Sequence, residues 1–335
     1  MKAIVAEEYG GPEVLKLEEV ADPQTGPNGV LVRIHATSVN PVDWKLRRGM
    51  LRALWNLRFP VIWGADCSGV VEQVGEAVTL LQPGDQVYGF KDGRVARTYR
   101  GTYAEYAVLP EKCLARKPAT LTHEQAAAVP LACLTAWQGL LQAGKLRPGQ
   151  RVLIHAAAGG VGSFAIQIAK SFGAYVAATA GTRNQDFLRE LGADLTLDYT
   201  RDRIEDRISG YDLVLDGVGR STWAASLKAL RRGGRLVTLL PPAPEDEGSR
   251  LKFLAKTAAA LLQSWTAAFL QGKRLLMVRV QPRGGELDKI TALIEAGKIR
   301  PVIQQTFPLE QIQQAHHLSE QGHVRGKIVL RIPGL

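Results

Sequence analysis

The chain has 335 residues, 46% of them hydrophobic and 22% charged, a balance that excludes a disordered chain and leaves room for two domains. Its formal net charge of +10 attracts anions, but the basic residues form neither a tail nor a nucleic-acid motif, so no nucleic-acid partner is expected. Three cysteines, Cys67, Cys113 and Cys133, are too few and too scattered for a disulfide framework or a four-cysteine zinc site.

The opening MKAIVAEEYG lacks the apolar core of a signal peptide, and the apolar run at 253–270 is interrupted by Lys256, Gln263 and Ser264. A soluble, cytoplasmic protein with no membrane partner is expected. Residues 30–36, 69–74, 86–89 and 102–108 read as short strands between glycine turns, the mark of a barrel-like β unit. From about Thr122 the rhythm changes. Strands at 151–155, 175–178, 213–216 and 235–239 are separated by stretches long enough for crossover helices, which predicts a doubly wound parallel sheet. A helix at 286–296, ended by Gly297, and a strand at 324–332 close the chain.

The strongest local signal is RVLIHAAAGGVGSFAIQIAKSFGA, residues 151–174. A strand runs through Ala157 into Ala158, Gly159, Gly160, Val161 and Gly162, and an apolar helix follows at once. The middle glycine lets backbone approach a pyrophosphate. The last lets helix pack on strand, and the helix N-terminus offers N–H groups to the phosphate. Ala157 stands where the pattern has its first glycine. An NAD site carries Asp or Glu about 20 residues further on, to accept from the ribose hydroxyls. Here the chain reads Gly181, Thr182, Arg183, with no acid, so NADPH is the expected cofactor.

The chain resembles the medium-chain dehydrogenase/reductase superfamily, in its zinc-independent quinone oxidoreductase (zeta-crystallin-like) branch. The resemblance rests on Asn40-Pro41-Val42-Asp43, Gly64-Ala65-Asp66-Cys67-Ser68-Gly69, Pro83-Gly84-Asp85-Gln86-Val87-Tyr88-Gly89, Gly101-Thr102-Tyr103-Ala104-Glu105-Tyr106, the AAAGGVG turn and Gly322-His323-Val324-Arg325-Gly326-Lys327. It implies an α/β chain with a GroES-like β-barrel catalytic domain at 1–121 and 283–335 and an inserted Rossmann NADP-binding domain at 122–282, with the active site in the cleft. Zinc-dependent relatives have cysteine where this chain has Asn40, Gly-His-Glu at Gly64-Ala65-Asp66, and a third cysteine near Leu131. Thiolate and imidazole ligands are missing at these positions, so no metal is expected.

Without a Lewis acid the fitting substrates are quinones or α,β-unsaturated carbonyl compounds, which accept hydride when a few donors stabilise charge on oxygen. Asn40, Lys45 and Thr135 are the candidate catalytic donors; a lysine at the place of Lys45 characterises the related alkenal and enone reductases. Asp43, Trp44 and Trp63, with Trp55, are candidate walls of a flat substrate pocket. Asp43 and Asn40 can equally fix their own loop. Beyond the glycine turn, the resemblance adds Tyr199, Gly217, Val218, Leu240, Pro241, Arg325 and Lys327 as cofactor contacts. It also implies a homodimer through an edge strand near 274–280. Reduction of enoyl thioesters, and a non-catalytic NADPH-binding sensor or structural role, are the competing functions. The physiological substrate, and one- against two-electron quinone reduction, are not written in the sequence.

Overall fold

The computed structural model describes residues 1–52, 56–91, 100–239 and 250–332. The chain divides into two compact units, Met1–Leu134 with Gln281–Leu335, and Thr135–Val280. Residues 122–134, which the sequence reading assigns to the Rossmann domain, thus cluster with the first unit.

In the first unit the strands are β1 (Lys2–Ala6), β2 (Lys16–Glu19), β3 (Gly29–Val39), β4 (Val61–Ile62), β5 (Asp66–Val74), β6 (Gln86–Phe90), β7 (Tyr106–Pro110) and β8 (Leu114–Arg116). Three helices belong to this stretch, α1 (Pro41–Arg47), α2 (His123–Ala127) and α3 (Pro130–Trp137), and the division between units falls inside the last. The strand expected at 102–108 begins only at Tyr106. Residues before it serve as anchors, Tyr103 accepting at its carbonyl from Ile4 N–H and donating from its hydroxyl to Asp43.

The second unit holds β9 (Arg151–Ile154), α4 (Gly160–Ser171), β10 (Tyr175–Ala180), α5 (Gln185–Glu190), β11 (Leu195–Asp198), α6 (Ile204–Arg207), β12 (Tyr211–Asp216), α7 (Arg220–Ala229), β13 (Leu230–Thr238), α8 (Arg250–Leu270) and β14 (Arg274–Met277). Back in the first unit come α9 (Gly284–Glu295), β15 (Ile303–Pro308), α10 (Ile312–Glu320) and β16 (Lys327–Arg331).

Among the described residues the first unit has a small antiparallel sheet, β2-β1-β4, and a larger one ordered β15-β16-β3-β5-β6-β8, with β7 also on β3. Strand β16, from the far end of the chain, pairs antiparallel with β3, Ile328 opposite Val39. One apolar core joins Ile34, Val61, Trp63, Val87 and Leu109 to Phe307, Ile312 and Leu330 from the C-terminal segment. This is a GroES-like fold.

The second unit is a Rossmann-like parallel sheet in the order β11-β10-β9-β12-β13-β14. Counting from β9 this is 3-2-1-4-5-6, so the order reverses between β9 and β12, the place where such sheets open a crevice for a dinucleotide. Its strands are apolar on both faces, Val152, Leu153 and Ile154 being fully buried, because helices cover both sides.

Candidate functional site

In the first unit the polar residues that the sequence spread over almost 290 positions converge. Asn40 follows β3 and caps α1, and its backbone N–H donates to the Asp43 carboxylate at 2.8 Å. The Asn40 amide donates to Asp66 Oδ2 at 2.8 Å, and its Oδ1 accepts from the Lys327 ammonium. Ser38 Oγ donates to the same Asp66 oxygen at 2.6 Å and Lys327 Nζ approaches it at 3.4 Å, while Leu131 N–H donates to Asp66 Oδ1 at 2.8 Å. Lys327 also donates to the Val39 carbonyl at 3.2 Å. Asn40, Asp66 and Lys327 are all buried, so this ion pair lives where charge is costly unless every partner is in place.

Two expectations change here. Asn40 has its amide committed to Asp66 and a second, longer bond to the Ser38 carbonyl at 3.4 Å, so it is a positioning residue rather than a spare donor. Lys327 is enclosed by Asn40, Asp66 and Val39, not an outward lysine closing over a cofactor. Arg325, two residues before it, is exposed, and its N–H is tied to Gln304 Oε1 at 2.5 Å.

Helix α1 is pinned at both ends. Asp43 is buried and accepts from Asn40 N–H and, at 3.0 Å, from the Tyr103 hydroxyl, so it caps the helix and does not wall a pocket. At the other end fully buried Arg47 donates to the Gly10 carbonyl at 2.6 Å and pairs with Glu320 of α10. Trp63 is fully enclosed in the hydrophobic core, which removes it from the pocket candidates. Trp44 and Lys45 remain half-buried on α1, the ammonium 5.4 Å from the neighbouring indole centroid. The Trp44 indole N–H is buried with no partner among the described residues, and burial lowers the Lys45 pKa from its ordinary value. Trp55 lies outside the described residues.

Burial pushes the Asp43 carboxyl up to about 7, against the opposing pull of its bonds from Asn40 and Tyr103. The folded chain therefore keeps a proton that the unfolded chain releases, and this stabilising share fades as pH rises from about 4 to about 7. Asp43→Asn, neutral at every pH, is expected to gain in Tm relative to the native chain across that interval. A Tm difference independent of pH between 4 and 7 would show that Asp43 is ionised throughout.

In the second unit, β9 runs into Ala156, which takes a left-handed φ of 51°, and α4 starts at Gly160 with Gly159 as its N-cap. A Cβ on Gly162 would lie 2.5 Å from both the Ala156 oxygen and the Ala157 Cα, so glycine is required for helix and strand to touch. A Cβ on Gly159 would meet nothing of the protein closer than 3.4 Å, which leaves that face of the turn open. Ala158 is buried behind it, and Gly160 and Val161 form the first turn of the helix. Across the sheet's switch point, Asp216 at the end of β12 accepts from Val218 N–H and Gly219 N–H, folding the loop so that a Cβ on Gly217 would sit 3.5 Å from Ala156 Cβ. His155 is buried between Thr179 and Ser226 hydroxyls, and burial lowers its pKa; it is a core residue.

Gly181, Thr182 and exposed Arg183 follow the end of β10, and exposed Tyr199 follows β11, its hydroxyl 3.5 Å from where a Gly181 Cβ would be. The sequence reading missed Asp198 here. Its carboxylate accepts from Thr182 Oγ1 at 2.5 Å and from the hydroxyl and N–H of Thr200 at 2.7 Å and 3.0 Å. These bonds, Thr182 first, lower its pKa. An acid therefore does stand at this corner, on the third strand instead of the second, and the Thr182 hydroxyl is already donated to it. Leu240 and Pro241 lie outside the described residues. Thr135, the remaining catalytic candidate, is buried in α3 at the start of the second unit.

Comparison with known proteins fits this construction. The alcohol dehydrogenase GroES-like domain family matches residues 26–119 and the zinc-binding dehydrogenase family residues 191–330. A mitochondrial NAD(P)H oxidoreductase of Mus musculus, RTN4IP1, is 35% identical over 99% of this chain and 89% of its own. A chloroplastic NADPH-dependent alkenal/one oxidoreductase of Arabidopsis thaliana is 36% identical over 98% of this chain and 79% of its own. The structure of a quinone oxidoreductase from Coxiella burnetii superposes with a TM-score of 0.85 at 34% identity, covering 99% of each chain. The chain belongs to the medium-chain dehydrogenase/reductase superfamily, in its quinone oxidoreductase branch.

As an oxidoreductase of that branch it carries a family name that mentions zinc, but its residues do not fit the metal. Ala65 offers no ligand atom, Asn40 and Asp66 bind each other and Lys327, and the Cys67 and Cys133 thiols are buried with their pKa values raised by desolvation. Among the described residues no three His, Cys, Asp or Glu side chains group as a metal site. A nicotinamide dinucleotide does fit, at the glycine turn and the switch point beside it.

Proposed function

We propose that this protein is an NADPH-dependent oxidoreductase that passes hydride, without zinc, to quinones or α,β-unsaturated carbonyl compounds. The observation that carries the reading is the Gly159–Gly162 turn, open on its solvent face and set at the switch point of a 3-2-1-4-5-6 sheet, with Arg183 and Tyr199 at the neighbouring strand ends. When bound there, the reduced nicotinamide supplies the hydride. The first-turn N–H groups of α4 hold pyrophosphate, and the Arg183 guanidinium favours a 2′-phosphate, with the Asp198 carboxylate occupied by its Thr182 and Thr200 donors and 3.9 Å from the Arg201 guanidinium.

Burial makes the Lys45 ammonium a stronger acid than a solvated lysine, suited to hydrogen-bond or protonate an oxygen on which charge develops. The Trp44 indole N–H, without a partner among the described residues, is a second donor beside it. Asn40, Asp66 and Lys327 hold the start of α1, and hence both donors, in place. A homodimer and a cytoplasmic setting complete the reading; no helix among the described residues is long and apolar enough to cross a membrane.

The test is oxidation of NADPH and of NADH against 1,4-benzoquinone, 9,10-phenanthrenequinone, an alkenal, an exocyclic enone and crotonyl thioester. Turnover with NADPH and a quinone or enone is expected, with Arg183→Ser raising KM for NADPH about tenfold and leaving KM for NADH little changed. Lys45→Met should lower kcat by about tenfold or more. A preference for the thioester would replace the substrate class. Tight NADPH binding with no acceptor reduced would favour the sensor reading.

A further inference from the structure

Arg47 stands two residues after Lys45 on α1 and is fully buried. A guanidinium keeps its charge and carries five N–H donors, so its burial is costly unless acceptors surround it. They come from both ends of the chain. Nη1 donates to the Gly10 carbonyl at 2.6 Å, Nη2 to Glu320 Oε1 and Nε to His316 Nδ1 at 3.4 Å. Half-exposed Arg48 donates to the other oxygen of Glu320. One carboxylate of α10 thus closes the end of α1 at two consecutive residues.

Glu320 is the larger counter-charge of Arg47 and Glu13 the smaller. His316, its ring centroid 5.9 Å from that of Tyr103, is pushed down to about 3 by burial and by the Arg47 charge, so it stays neutral. Such a buried pair adds little net stability, because desolvation offsets the attraction and apolar residues of similar volume do as well. What it adds is direction. The helix α1 has seven residues, fewer than an isolated helix needs, so its rotation and height are set by what grips it. Trp44 and Lys45 ride on that helix.

We infer that Glu320, gripping Arg47 and Arg48, is a positioning residue for the Lys45 and Trp44 donors, a role that rests on the reading of Lys45 as the proton donor. The experiment measures Tm, NADPH affinity by fluorescence and the pH profile of kcat for the full chain with Lys45→Met, Glu320→Gln and Arg47→Met/Glu320→Leu. Both Glu320 variants should lose about tenfold in kcat while NADPH affinity changes less than about threefold, the glycine turn belonging to the other unit. Glu320→Gln should also lower Tm, and the apolar double variant should recover most of it without recovering kcat. Because burial lowers the Lys45 pKa, a helix set loose lets water reach the ammonium, and the alkaline limb of kcat moves to higher pH. Preserved kcat and limb in Glu320→Gln overturn the inference, and so does a kcat that returns with Tm in the double variant. Should the double variant fail to fold, the limb in Glu320→Gln decides. No turnover by the native chain, or native kcat in Lys45→Met, removes the reading of Lys45 and the inference with it. A loss of kcat confined to Lys45→Met removes the inference and keeps the reading.

Discussion

Gly159→Ala and Gly162→Ala are expected to damage the same binding event by different routes. A methyl on Gly162 lies 2.5 Å from the backbone oxygen of Ala156 and from the Ala157 Cα, so strand and helix must part to admit it. The variant should lower Tm and weaken NADPH binding by about 100-fold, roughly 2.7 kcal/mol. Gly159→Ala meets no protein atom closer than 3.4 Å, so its Tm without ligand should stay native. Its affinity should still fall, because the methyl occupies the surface along which a pyrophosphate approaches. Titration of NADPH fluorescence, together with Tm measured with and without cofactor, separates the two. Native affinity in Gly159→Ala would remove the turn from the binding site.

Asp66→Asn should be the most destabilising conservative change in the first unit. The carboxylate collects the buried Ser38, Asn40 and Lys327 side chains and the N–H of half-buried Leu131. An amide turns one accepting oxygen into a donor and leaves the buried Lys327 ammonium without its counter-charge. The expected cost is about 3–5 kcal/mol. Lys327→Met in the same chain removes the stranded charge and should restore most of the lost stability, a non-additivity that denaturant unfolding of the single and double variants measures. If Asp66→Asn alone costs less than about 1 kcal/mol, the ammonium does not depend on Asp66. Loss of the Asn40 anchor should also raise KM or lower kcat even where the chain remains folded, since α1 starts at that residue.

The parts of this picture that were legible in the sequence are the ones written in local, periodic or spaced signals. The glycine turn, the apolar strands around it and the alternation of strand and helix gave the parallel sheet, because a buried βαβ unit forces that pattern on its residues. The resemblance carried the GroES-like domain, whose strands come from both ends of the chain. The polar cluster was not legible as a cluster. Asp66 and Lys327 stand 261 positions apart and meet only because β16 pairs with β3 beside β5. Asp198 was missed for a related reason, since the acid was sought after the second strand and it stands at the end of the third. Trp63 and Asp43 looked like pocket residues because a sequence marks an aromatic or an acid but not the side it faces.

By itself the sequence determined the class of fold, the place of the glycine turn between β9 and α4 and the absence of thiolate and imidazole at the positions where zinc-dependent relatives keep them. Those are properties of residue type at fixed spacing, and spacing survives without coordinates. Only the tertiary structure decided which donors are already spent. It bound Asn40 to Asp66, gave the Thr182 hydroxyl to Asp198, and left the Trp44 N–H without a partner among the described residues. Hydrogen bonds and burial depend on distance between residues far apart in the chain, and that distance exists only once the sheets have formed.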